Sequence, residues 1–388
     1  MSVLLPALGP RLVFFTGGTA LRGLSRSLTR YTHNSVHLVT PFDSGGSSAA
    51  LREAFALPAV GDIRNRLAAL ADSMVPQSVL DFWEMRLPAE GDSEALRARL
   101  RAMGSAGHPC WRPLPPVMAD VMRVHLGYFL ERMPDDFRPQ KASMGNLLLA
   151  GGYLHFQRNF TPVLSLFSRL LQVRGVVLPI VNACLHLAAE LADGSVLVGQ
   201  HHFCRLTQPV RRLYLTVHEP GRTSTALTPC RPPLSATAAT YLQSAGAICY
   251  PMGSFYTSVL SNLLPDGVGR AVAAARCPKI YIPNSGRDTE AQGLQHHGQG
   301  RVQALTGKGG TGHMTGFTQG VHQASSSEAA AVPASGARAR ARRSSTSSSK
   351  ATEVRWGSWC CGSSGQTISR STTSMPRRSS SFHSMPPG

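Results

Sequence analysis

Acidic residues are scarce in this chain of 388: 21 Asp and Glu stand against 39 Lys and Arg, a formal charge of +18. Such an excess would suit a nucleic-acid partner, but aromatic residues that could stack on bases are few. Trp356, Trp359 and Phe382 are too sparse to interleave the basic stretch around them. No stretch approaches the ~18–20 uninterrupted apolar residues of a membrane helix. The opening MSVLLPALGPRLVFF lacks the basic n-region and small-residue cleavage pattern of a signal peptide. The eight cysteines are scattered with no C-x-x-C pair, which argues against a disulfide framework or a zinc ribbon and for a reducing compartment, the cytoplasm. Both standard phosphate fingerprints, G-x-x-x-x-G-K-[ST] and G-x-G-x-x-G, are missing, which excludes an ordinary P-loop or dehydrogenase.

The charge is unevenly spread. Residues 296–388 carry eleven Lys or Arg against two Glu, so half the net charge sits in 93 residues that also hold 19 serines. A segment such as SGARARARRSSTSSSK cannot bury enough apolar surface to offset its ordering entropy, so a disordered basic tail is expected from 296 to 388. The expected folded domain is 1–295.

Within that domain one pattern occurs three times. LVFFTGGT opens into LRGLSRSL, VHLVTPFDSGGSS into AALREAFAL, and GAICYPMGSFYTS into VLSNLL. Each is an apolar β-rich run, a Gly/Ser/Thr loop, and then helical spacing. Repeated strand–loop–helix units indicate an α/β fold: a Rossmann-like, mostly parallel sheet flanked by helices. LHLAAELADGSVLVGQ reads as a hairpin around Asp193 and Gly194, so an antiparallel element is expected to join the sheet. RRLYLTV and PKIYIPN read as further strands; PVMADVMRVHLGYFLERMP and FTPVLSLFSRLLQV read as core helices. In a parallel sheet the loops emerge together at the strands' carboxyl ends, where ligands bind. Gly17, Gly18 and Thr19 form either a plain strand-to-helix turn or a cradle whose N–H groups approach a phosphate.

Taken together, GGT, FDSGGSSAALR, GDIRNRLAALAD, GNLLLAG, LQVRGVVLPI and GSFYTSVLSNLLPDGV…KIYIPN resemble the CofD-like family in order and spacing, over about residues 12–295. That family includes 2-phospho-L-lactate transferases of deazaflavin cofactor biosynthesis and the gluconeogenesis-factor proteins. The wording of DSGGSS and GDIRN is closer to the gluconeogenesis-factor side. The resemblance implies a nucleotide-diphosphate site lined by Gly17, Gly18, Thr19, Gly45, Gly46, Ser47, Ser48, Arg64, Asn65, Asn146, Gly253, Ser254, Tyr256, Thr257, Ser258 and Asn284. It implies catalytic roles for Asp43 and Asp62, which could together hold Mg²⁺. The expected partner is a nucleotide-linked small molecule, with no membrane and no specific nucleic acid; a homodimer is allowed. The implied reaction is group transfer to an alcohol; the alternative is a non-catalytic regulator that binds a nucleotide sugar or dinucleotide.

Plainer readings stand beside these. Asp43 could cap a helix, and Asp62 could simply begin one. Arg64 could pair phosphate or be a solvated helix charge. Tyr256 could stack on a base or pack in the crevice. His201 and His202 lack a nearby third ligand, which argues against a metal there. Three departures from the family pattern matter. Ser44 replaces the second of two adjacent acids, and Ala20 follows Thr19 where many relatives have glycine. The text also changes abruptly near Gln295, where a helix and a further core segment are expected. A shifted reading frame explains that change better than a linker, which should follow a completed domain; translating the other frames beyond codon 295 tests this.

Overall fold

Val13, Phe14 and Phe15 are all buried, as a strand covered on both faces requires. The computed structural model describes residues 5–206, 208–217, 227–284, 288 and 290. The expected basic tail and the change of text near Gln295 lie outside the described residues.

In chain order the fold begins with β1 (Leu12–Thr16), α1 (Arg22–Leu28), β2 (Ser35–Val39), α2 (Gly46–Phe55) and α3 (Gly61–Ala69). A helical layer follows: α4 (Gln77–Glu84), α5 (Ser93–Met103), α6 (Pro116–Leu130), α7 (Met144–His155) and α8 (Phe160–Leu170). The chain then forms β3 (Val176–Pro179), β4 (His186–Leu191), β5 (Val196–Val198) and β6 (Val210–Thr216). It closes with α9 (Ala236–Gln243), β7 (Ala247–Tyr250), α10 (Val268–Ala274) and β8 (Lys279–Tyr281).

The five-stranded sheet is parallel throughout, in the order β3-β2-β1-β7-β8. The chain steps outward from β1 to β2 and β3, then returns to place β7 on the opposite side of β1. The carboxyl ends of β1 and β7 therefore flank a topological switch point, the place where open parallel sheets commonly bind ligands.

Two observations correct the sequence expectation. The hairpin around Asp193 and Gly194 does form, as β4 and β5, but it does not join the parallel sheet. β4 pairs antiparallel with β5 on one side and β6 on the other, making a separate three-stranded sheet. Leu187, Ala189 and Leu215 of that sheet share a core with Val13, Phe15, Val36 and Leu38. The third loop does not open into a regular α-helix either. Phe255–Val259 is a π turn, followed by a 3₁₀ turn over Leu260–Leu263. Both the Ser258 and Val259 N–H groups donate to the Ser254 carbonyl, at 2.9 and 3.3 Å, which widens the turn. Single π turns of this kind are frequent at functional sites.

The helical layer has its own core, with Trp83, Phe129, Met144, Leu147 and Phe167 fully buried. Its tightest point is the α6–α7 crossing. A Cβ on Gly151 would lie 2.2 Å from the His125 carbonyl oxygen and 2.8 Å from the Phe129 nitrogen, both backbone atoms. Gly151→Ala should therefore force the two helices apart and destabilise the protein by about 3 kcal/mol, measured by denaturant unfolding. Stability within about 0.5 kcal/mol of the parent would contradict this crossing.

Candidate functional site

The carboxyl end of β1 runs straight into Gly17, packed so closely that an added Cβ would meet the Thr40 hydroxyl at 2.7 Å and the Ser258 hydroxyl at 3.0 Å. Side chains from the ends of β2 and β7 thus converge on the first glycine after β1. Gly18 follows with φ +63°, a left-handed conformation that disfavours β-branched residues. Thr19 is exposed, and its carbonyl accepts the Arg22 N–H at 2.9 Å as α1 begins.

Asp43 sits between β2 and α2. It does not cap α2: Gly45 holds that position, without a side-chain cap. The Asp43 Oδ1 instead accepts the Gly45 N–H at 2.9 Å and shapes the loop from within. Gly46 is the first residue of α2, and Ser47 and Ser48 are buried in its first turn. Asn146, near the start of α7, donates from Nδ2 to the Ser47 hydroxyl at 3.0 Å. Its Oδ1 is buried without a hydrogen-bond partner among the described residues.

Asp62 lies in the first turn of α3, buried, and accepts a hydrogen bond from the Gly18 N–H. Burial, and then the neighbouring Asp43 charge, raise its carboxyl from 3.8 to about 6; Gly18, Arg66 and Arg64 act in the opposite direction. Asp62 is thereby brought to the first glycine loop, with Asp43 of a second sequence motif beside it. Two repelling carboxylates with hydroxyls nearby form an all-oxygen donor set, which fits a hard cation such as Mg²⁺ that completes its shell with phosphate and water. Among the described residues no group of three or more His, Cys, Asp or Glu could hold a metal.

Arg64 is not a solvated helix charge. It is buried, its Nη2 donates to the Asn65 Oδ1 at 2.6 Å, and burial brings its guanidinium down to about 10. Arg66 escaped the motif reading, although it is buried still more deeply. Its Nη2 donates to the Thr16 hydroxyl at 2.8 Å and its Nη1 to the Ser25 hydroxyl at 2.6 Å, tying α3 to the end of β1 and to α1. The available signal was the i, i+4 spacing of Asp62 and Arg66, which puts opposite charges on one helix face.

The third loop is largely satisfied by its own chain. Asn284 Oδ1 accepts the Gly253 N–H at 2.8 Å, and its Nδ2 donates to the Gly253 carbonyl at 2.9 Å. Asp288 accepts the Phe255 N–H at 3.1 Å. Glu290 accepts the Tyr256 and Thr257 N–H groups at 2.9 and 3.0 Å and the Thr257 hydroxyl at 2.7 Å. An anion-binding turn is thus present, but the carboxylates of Asp288 and Glu290 occupy its amides. Tyr256 packs against Phe255 and lies near Phe203 rather than standing open to a base. Ser254 is half-buried at the crevice, and the Ser258 hydroxyl faces Gly17 and Gly18. Neither Asp288 nor Glu290 stood out in the sequence, because both follow the last strand without any periodicity.

Ser44, in place of an acid, makes a 3.0 Å hydrogen bond with His201 Nδ1. That contact brings the 3₁₀ turn after β5, Gln200–Arg205, to the β2 loop.

A family model described as 2-phospho-L-lactate transferase CofD matches residues 12–339. The gluconeogenesis factor of Bacillus subtilis is 31% identical over 275 residues, covering 71% of this chain and 68% of that protein. The gluconeogenesis factor of Halalkalibacterium halodurans is 30% identical over 273 residues, covering 70% and 66%. The chain therefore spans about two thirds of the length of these relatives. A crystal structure of a Bacillus halodurans protein of the UPF0052 family superposes with a TM-score of 0.56 at 26% identity, covering 78% of each chain. With a family model matching residues 12–339, this chain belongs to the CofD family.

Proposed function

We propose that the crevice at the carboxyl ends of β1, β2 and β7 binds a nucleotide diphosphate and supports group transfer from a nucleotide-linked donor to an alcohol. The observation that carries this reading is the convergence of Thr40, Ser258 and Asp62 on Gly17 and Gly18. Backbone N–H groups and hydroxyls so arranged suit phosphate oxygens, and transfer at phosphorus needs positioning and charge neutralisation more than covalent help. In the proposed step the alcohol oxygen bonds to the distal phosphorus, and the bond from that phosphorus to the nucleoside monophosphate breaks. The hydroxyl proton passes to Asp43, the half-exposed member of the acidic pair. Asp43 and Asp62 would hold Mg²⁺, which supplies neutralisation of the diphosphate charge.

The competing reading is a regulator that binds a nucleotide sugar or dinucleotide without turnover. It is favoured by the names of the two gluconeogenesis-factor relatives and by Ser44, which pairs with His201 where an acid would stand. Incubation with guanylyl-phospholactate, a deazaflavin acceptor and Mg²⁺, beside a binding panel of nucleotide sugars, separates the two. Product formation supports transfer; tight binding in the panel with no product supports the regulator. Asp43→Asn should lower turnover about 100-fold or more, because a neutral amide is a poor ligand for a hard cation. Turnover unchanged by this substitution and by a chelator would remove Asp43 from the chemistry.

A further inference from the structure

Near the first glycine loop, basic side chains gather around two acids, Glu84 and Asp62. Arg22, the first residue of α1, donates through Nη2 to Glu84 at the end of α4, and both side chains are about a third exposed. Arg86, two residues beyond Glu84, is exposed and donates from Nη1 to the Lys141 carbonyl at 2.9 Å. Arg64 lies buried against the start of α7: a Cβ on Gly145 would sit 2.8 Å from its Cγ and 2.8 Å from the Trp83 carbonyl. The Nε atoms of Arg22 and Arg64 are both buried without a hydrogen-bond partner among the described residues.

Guanidinium groups repel one another unless an anion lies between them, and Glu84 and Asp62 are two carboxylates for three of them. Arg22, Arg86, Glu84 and Asp62 all lie within electrostatic reach of Arg64. Planar N–H forks in such a group match carboxylate and phosphate oxygens. The position follows from the chain: Arg22 begins three residues after Thr19, and Arg64 two residues after Asp62.

We propose that Arg22, Arg64 and Arg86 form an oxyanion subsite, separate from the diphosphate cradle, which takes a carboxylate or phosphate carried elsewhere on the ligand. Glu84 is its built-in competitor, since it holds Arg22 by the same chemistry the ligand would use. This deepens the nucleotide reading above, and the first arm of the test does not depend on that reading.

The first arm titrates inorganic phosphate into the whole chain by calorimetry. Arg22→Gln and Arg86→Gln should each weaken phosphate binding about tenfold, the size of one charge-assisted contact. Glu84→Gln should strengthen it severalfold, a change of opposite sign that a merely destabilised protein would not show. Phosphate affinity that is the same in all three variants and the parent overturns the subsite. The second arm compares UDP-glucuronate with UDP-glucose, which differ only in the carboxylate. A preference for the glucuronate that collapses in Arg86→Gln identifies a carboxylate as an occupant; equal affinities, with the phosphate arm positive, assign the subsite to phosphate. If neither UDP compound nor GDP binds, the nucleotide reading fails while the phosphate arm still decides the subsite.

Discussion

Asp62→Asn should make the ligand-free protein more stable at pH 8 while leaving its stability at pH 4 nearly unchanged. The carboxyl titrates at about 6 in the folded chain against 3.8 ordinarily, so between those values the folded state holds a proton that the unfolded state has released. Stability must then fall as pH rises from about 4 to about 6, by an amount on the order of 3 kcal/mol. Asparagine mimics the protonated form and can still accept the Gly18 N–H, so the variant should keep what the parent loses. Denaturant unfolding from pH 4 to pH 8 measures this directly. Millimolar Mg²⁺ should recover part of the loss in the parent and none in Asp62→Asn. A parent whose stability is flat across that range, or a variant less stable at pH 8, would contradict the burial of Asp62 beside Asp43.

Gly18→Val should lower nucleotide affinity by about 100-fold or more while the fold survives. At φ +63° a β-branched side chain is strained, at a cost of about 1–3 kcal/mol. Among the described residues there is room, since beyond its chain neighbours an added Cβ would meet just the Ser258 hydroxyl oxygen within 4 Å, at 3.7 Å. The damage therefore falls on the loop's conformation and on the approach of a ligand to its backbone. Gly17 makes the useful contrast, because an added Cβ there collides with Thr40 and Ser258 and should reduce stability as well as binding. Unchanged affinity in Gly18→Val for every nucleotide tested would return this loop to a plain turn.

The parallel sheet was legible because its signal is local: apolar runs such as LVFFT and SVHLV lead into glycine-containing loops and then into helical spacing. The sheet to which β4 belongs was not, because its second partner β6 lies across a further turn and only the tertiary pairing reveals it. The same limit explains the third loop, where a π turn depends on Ser254 accepting two N–H groups and not on any residue pattern. Motif reading brought out Asp43, Asp62, Gly17 and Gly18, which the fold does gather. It gave Arg64 its prominence and passed over Arg66, since burial of an arginine is decided by what packs above it. Glu290 was invisible for a different reason: a carboxylate that satisfies three donors on the Tyr256 and Thr257 turn carries no spacing signature.

In the proposed reading, one site assembled from the ends of β1, β2 and β7 binds a nucleotide diphosphate. Hydrogen exchange followed residue by residue, with and without GDP, UDP and Mg²⁺, tests it most directly. Slower exchange is expected at residues 17–20, at 43–48 and around Asp62 and Asn146 in the presence of at least one nucleotide, with smaller changes at 255–257, where Asp288 and Glu290 already hold the amides. Protection confined to another surface, or none with any nucleotide at millimolar concentration, would contradict it.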